Sequence, residues 1–105
     1  MKWLPGRQGK GYEKLPLLVT KKFDCYILRM KPGSSVDVHC DSNGNGRHYR
    51  MNVLLKKAQR GGEFHGRHLF KLPRVIIFRP DETWHWVTEV EKGTRYVLSI
   101  GWLRK

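Results

Sequence analysis

The chain has no long hydrophobic run. Across its 105 residues no apolar stretch approaches the roughly 20 residues a membrane-spanning helix needs. The opening stretch, MKWLPGRQGKGYEK, carries charge but no apolar segment of the kind a secretory signal is built on. Cysteine is scarce, with only Cys25 and Cys40. Two cysteines do not make a disulfide framework, so a reduced, cytoplasmic chain is expected. No internal repeat or low-complexity tract is present, which excludes solenoid and collagen-like architectures. Acidic residues are also few: 9 Asp plus Glu stand against 21 Lys plus Arg, a formal net charge of +12.

That excess concentrates polyanions around the molecule and speeds encounter with them. DNA or RNA is the leading polyanion; anionic lipid is less favoured without an amphipathic basic helix. The length suits a single domain with one core, and a hydrophobic content of 39% with 11 Gly and 5 Pro reads as globular. Convincing helical periodicity is missing, apart from a weak stretch near 54–60. Instead, short apolar runs alternate with Gly-containing turns. Residues 16–20, 23–30, 34–41, 48–57, 74–80, 84–90 and 94–103 read as strands, separated by KPG, SNGNG, DET and EKG turns. Residues 1–14, Gly-rich and basic, read as a flexible arm. The expected fold is all-β, of the sandwich or barrel kind to which jelly rolls and cupins belong.

Within the third strand, DVHCDS (37–42) separates His39 from Asp41 by one residue. Side chains alternate faces along a strand, so these two share a face and Cys40 points the other way. Two ligands at i and i+2 reach one ion without backbone distortion. His85, between Trp84 and Trp86, is the candidate third ligand. Two His and one carboxylate on one side of a metal leave the opposite positions open, as in non-heme Fe(II) oxygenases. An H-x-D pair alone is a weak signal, and two polar residues on a surface strand is the simpler account of it. Arg95, ten residues after His85, adds to the metal reading. On an adjacent antiparallel strand its guanidinium would face the same cleft and could hold a carboxylate through two parallel hydrogen bonds.

The order HCD (39–41), GGEF (61–64), RVIIF (74–78) and HWVTEVEKGTRYVLSIGW (85–102) resembles the 2-oxoglutarate and Fe(II)-dependent dioxygenase superfamily. Parts are similar to prolyl and aspartyl hydroxylases, and the KPGSSVDVHCD approach to AlkB-type nucleic-acid demethylases. The similarity spans about residues 26–102. It implies a double-stranded β-helix of nearly minimal size, the jelly-roll, cupin-like form. It also implies Fe(II) held by His39, Asp41 and His85, and 2-oxoglutarate and O₂ as cosubstrates. Arg95 would pair with the distal carboxylate of 2-oxoglutarate and Ser99 would share its face, although Val97 stands where some members carry serine. Arg50, in YRMN (49–52), resembles the arginine of an R-x-H strand; Asn52 replaces the histidine. Leu28 and Met30 stand where AlkB-type members carry polar residues, leaving Tyr26 as the nearest phenol.

The implied activity is hydroxylation or demethylation of a macromolecule, with nucleic acid favoured by the charge. A protein side-chain hydroxylase and a non-catalytic nucleic-acid-binding module on the same fold are the alternatives. Arg47 and His48 are expected near the mouth of the cleft as substrate contacts. Trp3 and Tyr12, among the basic residues of the arm, would suit bases stacked along a phosphate backbone, with a disordered tail as the plainer account. Trp84 and Trp86 are expected to be packed in the core or against a sheet. His65 and His68 could be drawn into a zinc site with the cysteines, but no C-x-x-C supports it. A partner protein is possible.

Overall fold

The computed structural model describes residues 3–6, 9–40 and 47–104. Among them there is no helix, and so none long and apolar enough to cross a membrane. In chain order the strands are β1 (Leu4–Pro5), β2 (Gly9–Lys10), β3 (Glu13–Val19), β4 (Phe23–Met30), β5 (Ser35–His39), β6 (Arg47–Lys56) and β7 (Arg60–Gly61). They continue with β8 (Phe64–Gly66), β9 (Phe70–Leu72), β10 (Val75–Phe78), β11 (His85–Val87), β12 (Val90–Lys92) and β13 (Arg95–Arg104).

The larger sheet runs β1-β3-β4-β13-β6-β10-β9, the smaller β2-β5-β11-β8, and β12 pairs with β7 in a two-stranded ribbon. The last long strand, β13, is thus zipped between β4 and β6, both antiparallel to it. Its burial alternates strictly from Arg95 to Trp102: Arg95, Val97, Ser99 and Gly101 are buried, while Tyr96, Leu98, Ile100 and Trp102 are half-buried. That period of two sends odd-numbered residues toward the smaller sheet and even-numbered ones away from it. The stretch near 54–60 that hinted at a helix is the end of β6 and the turn into β7.

The core lies between the sheets. Tyr12, Met30, Ala58, Val87 and Val90 form one buried cluster, with Leu28, Val36 and Phe64 against it. Where the sequence suggests a flexible arm over 1–14, the described residues include three strand segments, and Tyr12 is a core residue instead of a ring presented on an arm. Trp3 lies under the Arg29 guanidinium, 4.0 Å from the ring centroid. Expectation and structure also part at the tryptophans. Trp84 is 65% exposed and Trp86 37% exposed, the latter stacked on His65 at 5.3 Å. Alternation sends them to the outer face of the smaller sheet, and no described element covers that face.

Candidate functional site

β5 and β11 are antiparallel neighbours, and His39 stands directly opposite His85. Their ring centroids are 4.2 Å apart with planes tilted by 56°. Each ring is held in the same way. His39 Nδ1 lies 2.7 Å from the carbonyl oxygen of Asp37, and His85 Nδ1 lies 2.8 Å from that of Thr83. A carbonyl only accepts, so each Nδ1 is the donor and the lone pair of each neutral ring sits on Nε2. A backbone carbonyl on the far nitrogen is a usual support for a metal-binding histidine. His85 is buried, with the rings of Phe78 and Phe64 at 5.1 and 6.1 Å. Asp41 lies outside the described residues. Among those described, no group of three His, Cys, Asp or Glu side chains comes together in metal-binding range, whether around this pair or around His65 and His68.

Both histidines line a cavity of about 440 Å³ between the sheets, as do Arg95, Arg50, Ser99, Asn52, Tyr26 and His48. Its size falls within the range of small-molecule sites. Arg95, at the start of β13, is only 7% exposed, and its one hydrogen bond among the described residues runs from Nη1 to Met30 Sδ at 3.6 Å. No described carboxylate lies within ion-pair distance of it. Among the described residues no fully buried side-chain nitrogen or oxygen lacks a partner, and Arg95 lines the cavity. Burial pulls its pKa down to about 10, so it remains a cation at neutral pH. A desolvated guanidinium facing a thioether favours the arrival of an anion. Room for it comes from GGEF: a Cβ on Gly62 would meet Val90 Cγ2 at 2.8 Å and Arg95 Cδ at 3.2 Å.

Arg50 is in a different state, because its counter-ion is already present. Its Nη2 donates to Asp24 Oδ1 and Oδ2 at 2.9 and 3.0 Å, and its Nη1 to Ser99 Oγ at 2.8 Å. Ser99 in turn donates to Asn52 Oδ1 at 2.7 Å. The ion pair crosses the central strand above Gly101, the Cα partner of both Asp24 and Arg50. Tyr26 lies beside this ladder, with the Arg50 guanidinium 5.0 Å from its ring; burial, above all, raises the phenol's pKa. His48 Nε2 is 3.5 Å from Arg50 Nη2, while Arg47 is exposed and does not line the cavity.

Of the residues read from the sequence, His39, His85, Arg95, Arg50, Ser99, Asn52, Tyr26 and His48 line one cavity, whereas Arg47, expected at its mouth, does not. The sequence reading missed Asp24, which shares a strand face with Tyr26 two residues on, and Phe64 and Phe78, which pack against His85.

No protein-family model matches the chain, and no curated protein matches it in sequence. Solved structures do. A prolyl-4-hydroxylase from Pseudomonas putida superposes with a TM-score of 0.76 at 14% identity, over 99% of this chain and 78% of that one. A predicted oxalate decarboxylase from Thermotoga maritima follows at 0.71 and 20%, covering 98% and 91%. The viral collagen prolyl hydroxylase of Paramecium bursaria Chlorella virus-1, in complex with 2-oxoglutarate, reaches 0.65 and 17%, covering 92% and 80%. At such identities the likeness is one of fold. The chain is an all-β jelly roll of the cupin-like, double-stranded β-helix class.

Proposed function

We propose that the protein is an Fe(II)- and 2-oxoglutarate-dependent dioxygenase that hydroxylates or demethylates a macromolecule. One observation carries the reading: two histidines with carbonyl-fixed tautomers share a cavity with a buried arginine that has no described carboxylate beside it. A metal cupin with no carboxylate to bind would need the histidines but not a desolvated guanidinium beside them. The donor set suits iron, since imidazole and carboxylate are both ligands it accepts.

In this reading His39, His85 and Asp41 hold the metal. Bound iron supplies oxidation of a substrate C–H bond, as 2-oxoglutarate loses CO₂ and the two atoms of O₂ end in succinate and in the product. Arg95 receives the distal carboxylate of 2-oxoglutarate, which replaces the thioether as partner for a buried cation. Ser99, Asn52 and Tyr26 form the polar wall beside it. Arg50, neutralised by Asp24, shapes that wall and contributes little net charge. Phe64 and Phe78 pack against His85 and keep water from it. The +12 charge supports DNA or RNA as the first substrate class to try, and a protein side chain as the second.

The test is an anaerobic titration of metal-free protein with Fe(II) and then 2-oxoglutarate, followed by the weak visible charge-transfer band of the chelate. The band is expected in the wild type. His85→Ala and Asp41→Ala should abolish it, and Arg95→Lys should weaken 2-oxoglutarate about tenfold or more while leaving iron binding intact. Iron binding with no band would overturn the cosubstrate assignment, and absence of iron binding would overturn the whole reading.

A further inference from the structure

The outer face of the larger sheet is apolar from β3 to β9. Side chains pointing away from the cavity fall, strand by strand, into two rows. One runs Leu15, Ile27, Leu98, Val53, Val75, Leu72; the other runs Leu18, Cys25, Ile100, Met51, Ile77, Phe70. No charge interrupts either row. Antiparallel sheets that face water on one side normally carry polar residues there, yet Leu18, Phe70 and Leu72 are about half exposed or more. The core cluster lies wholly on the other side of the sheet. With strands about 4.8 Å apart and residues about 3.4 Å apart, the rows cover several hundred Å². Contiguous apolar surface of that extent on a monomer usually marks an interaction site.

The borders of this face say what kind of partner fits. Beyond the first row stand Lys56, Lys57 and Arg74; beyond the second, past Phe23, Trp102 and Tyr49, stand Lys21, Lys22, Arg47 and Arg104, all seven cations exposed. The carboxylate of Glu13, at the first border, is already shared by Arg29 at 3.0 Å and Lys31 at 3.7 Å. At the second border Arg79 lies over Tyr49 and is paired with Asp81 at 2.7 Å and Glu82 at 3.3 Å. Cations therefore outnumber carboxylates at both ends of the apolar band, along the strand direction.

We propose that this face docks an amphipathic helix with an apolar middle and acidic ends, supplied from outside these 105 residues. A helix of about 18 residues is about 27 Å long. Laid along the ten-residue strands β6 and β13, it would set an acidic turn over each cationic border and about three apolar turns over the band between them. A second copy fits less well, because aligned face-to-face packing sets cationic ends on cationic ends, parallel or antiparallel. A bilayer fits less well too. Strands rotate by about 20–25° each, so a flat surface meets only two or three of the six at once. The face lies across the sheet from the cavity, and the inference does not depend on how the site is read.

The experiment uses a labelled 18-residue peptide with a leucine stripe and glutamate in its first and last turns, its lysine-ended twin, and fluorescence anisotropy. The glutamate peptide should bind at least about tenfold tighter than the twin. Binding should be lost in Ile100→Glu and fall about tenfold in the quadruple reversal K21E/K22E/K56E/K57E. These lysines are exposed, so that variant decides the matter if Ile100→Glu fails to fold. Equal binding of the two peptides, or none, would overturn the proposal. So would a dimer in sedimentation velocity that Ile100→Glu dissolves, or co-sedimentation with phosphatidylserine vesicles that the same substitution abolishes.

Discussion

Replacing Gly101 by alanine should destabilise the protein through one ion pair. The new Cβ would collide with Arg50 Nη2 and sit 3.1 Å from Asp24 Oδ1, so the guanidinium must retreat by about 1 Å to reach ordinary contact. The Arg50–Asp24 distance, now 2.9 Å, then passes the range of a hydrogen bond. Breaking a fully buried pair costs about 3–5 kcal/mol. Asp24 keeps 30% of its side-chain surface in solvent, so about 2 kcal/mol is the reasonable expectation. In a domain of this size that lowers Tm by roughly 8–16 °C. Thermal unfolding followed by circular dichroism reads it directly. The decisive comparison is the same substitution in an Arg50→Ala background. With the guanidinium gone, alanine should be neutral there or stabilise by roughly 0.5–1 kcal/mol, as it usually does against glycine inside a strand. Equal costs in the two backgrounds would refute the mechanism, because additivity means that the pair is not what Gly101 protects.

Asp81 gives a pH-dependent counterpart. Burial works against its carboxylate, but the Arg79 hydrogen bonds, at 2.7 and 3.2 Å, and the His48 backbone N–H outweigh that and hold its pKa below the usual carboxylate range. A depressed pKa gives stability that is fully present above the unfolded value of about 4 and lost as pH falls through the folded one. Asp81→Asn should therefore cost more at pH 7 than at pH 3 in urea titrations, and a constant difference would refute it. If the charge serves nucleic acid, affinity for single-stranded DNA should fall steeply and linearly in log–log form with salt. An affinity indifferent to salt between 50 and 200 mM, to order of magnitude, would exclude phosphate contacts as its source.

The site was legible where strand alternation alone decides. His39 and Arg95 follow from counting by twos, and the placing of His85 opposite His39 needed only two adjacent antiparallel strands. What alternation leaves open is which faces are covered. Trp84 and Trp86 flank His85 and so alternate away from it, yet they read as packed; among the described residues nothing covers that face. Tyr12 failed in the opposite sense. Glycines and lysines around it suggest an arm, but pairing of β2 with β5 and of β3 with β4 pins it into the core. Asp24 carried no local signal, because its role depends on Arg50, 26 residues away and two strands over. The apolar outer face was hidden for a similar reason. A run such as VIIF is apolar on both sides of its strand, and only the assembled sheet separates the sides.

The strict alternation of β13 has a consequence for how this protein can change. Arg95 and Ser99 belong to the cavity, while Leu98 and Ile100 belong to the outer face, so two surfaces are written in interleaved letters on one strand. Substitutions can alter either surface and leave the other intact. An inserted or deleted residue between positions 95 and 101 would instead exchange them wholesale, turning hydrocarbon into the cavity and the arginine or serine out onto the apolar band. Across this segment the chain tolerates a change of letters better than a change of length.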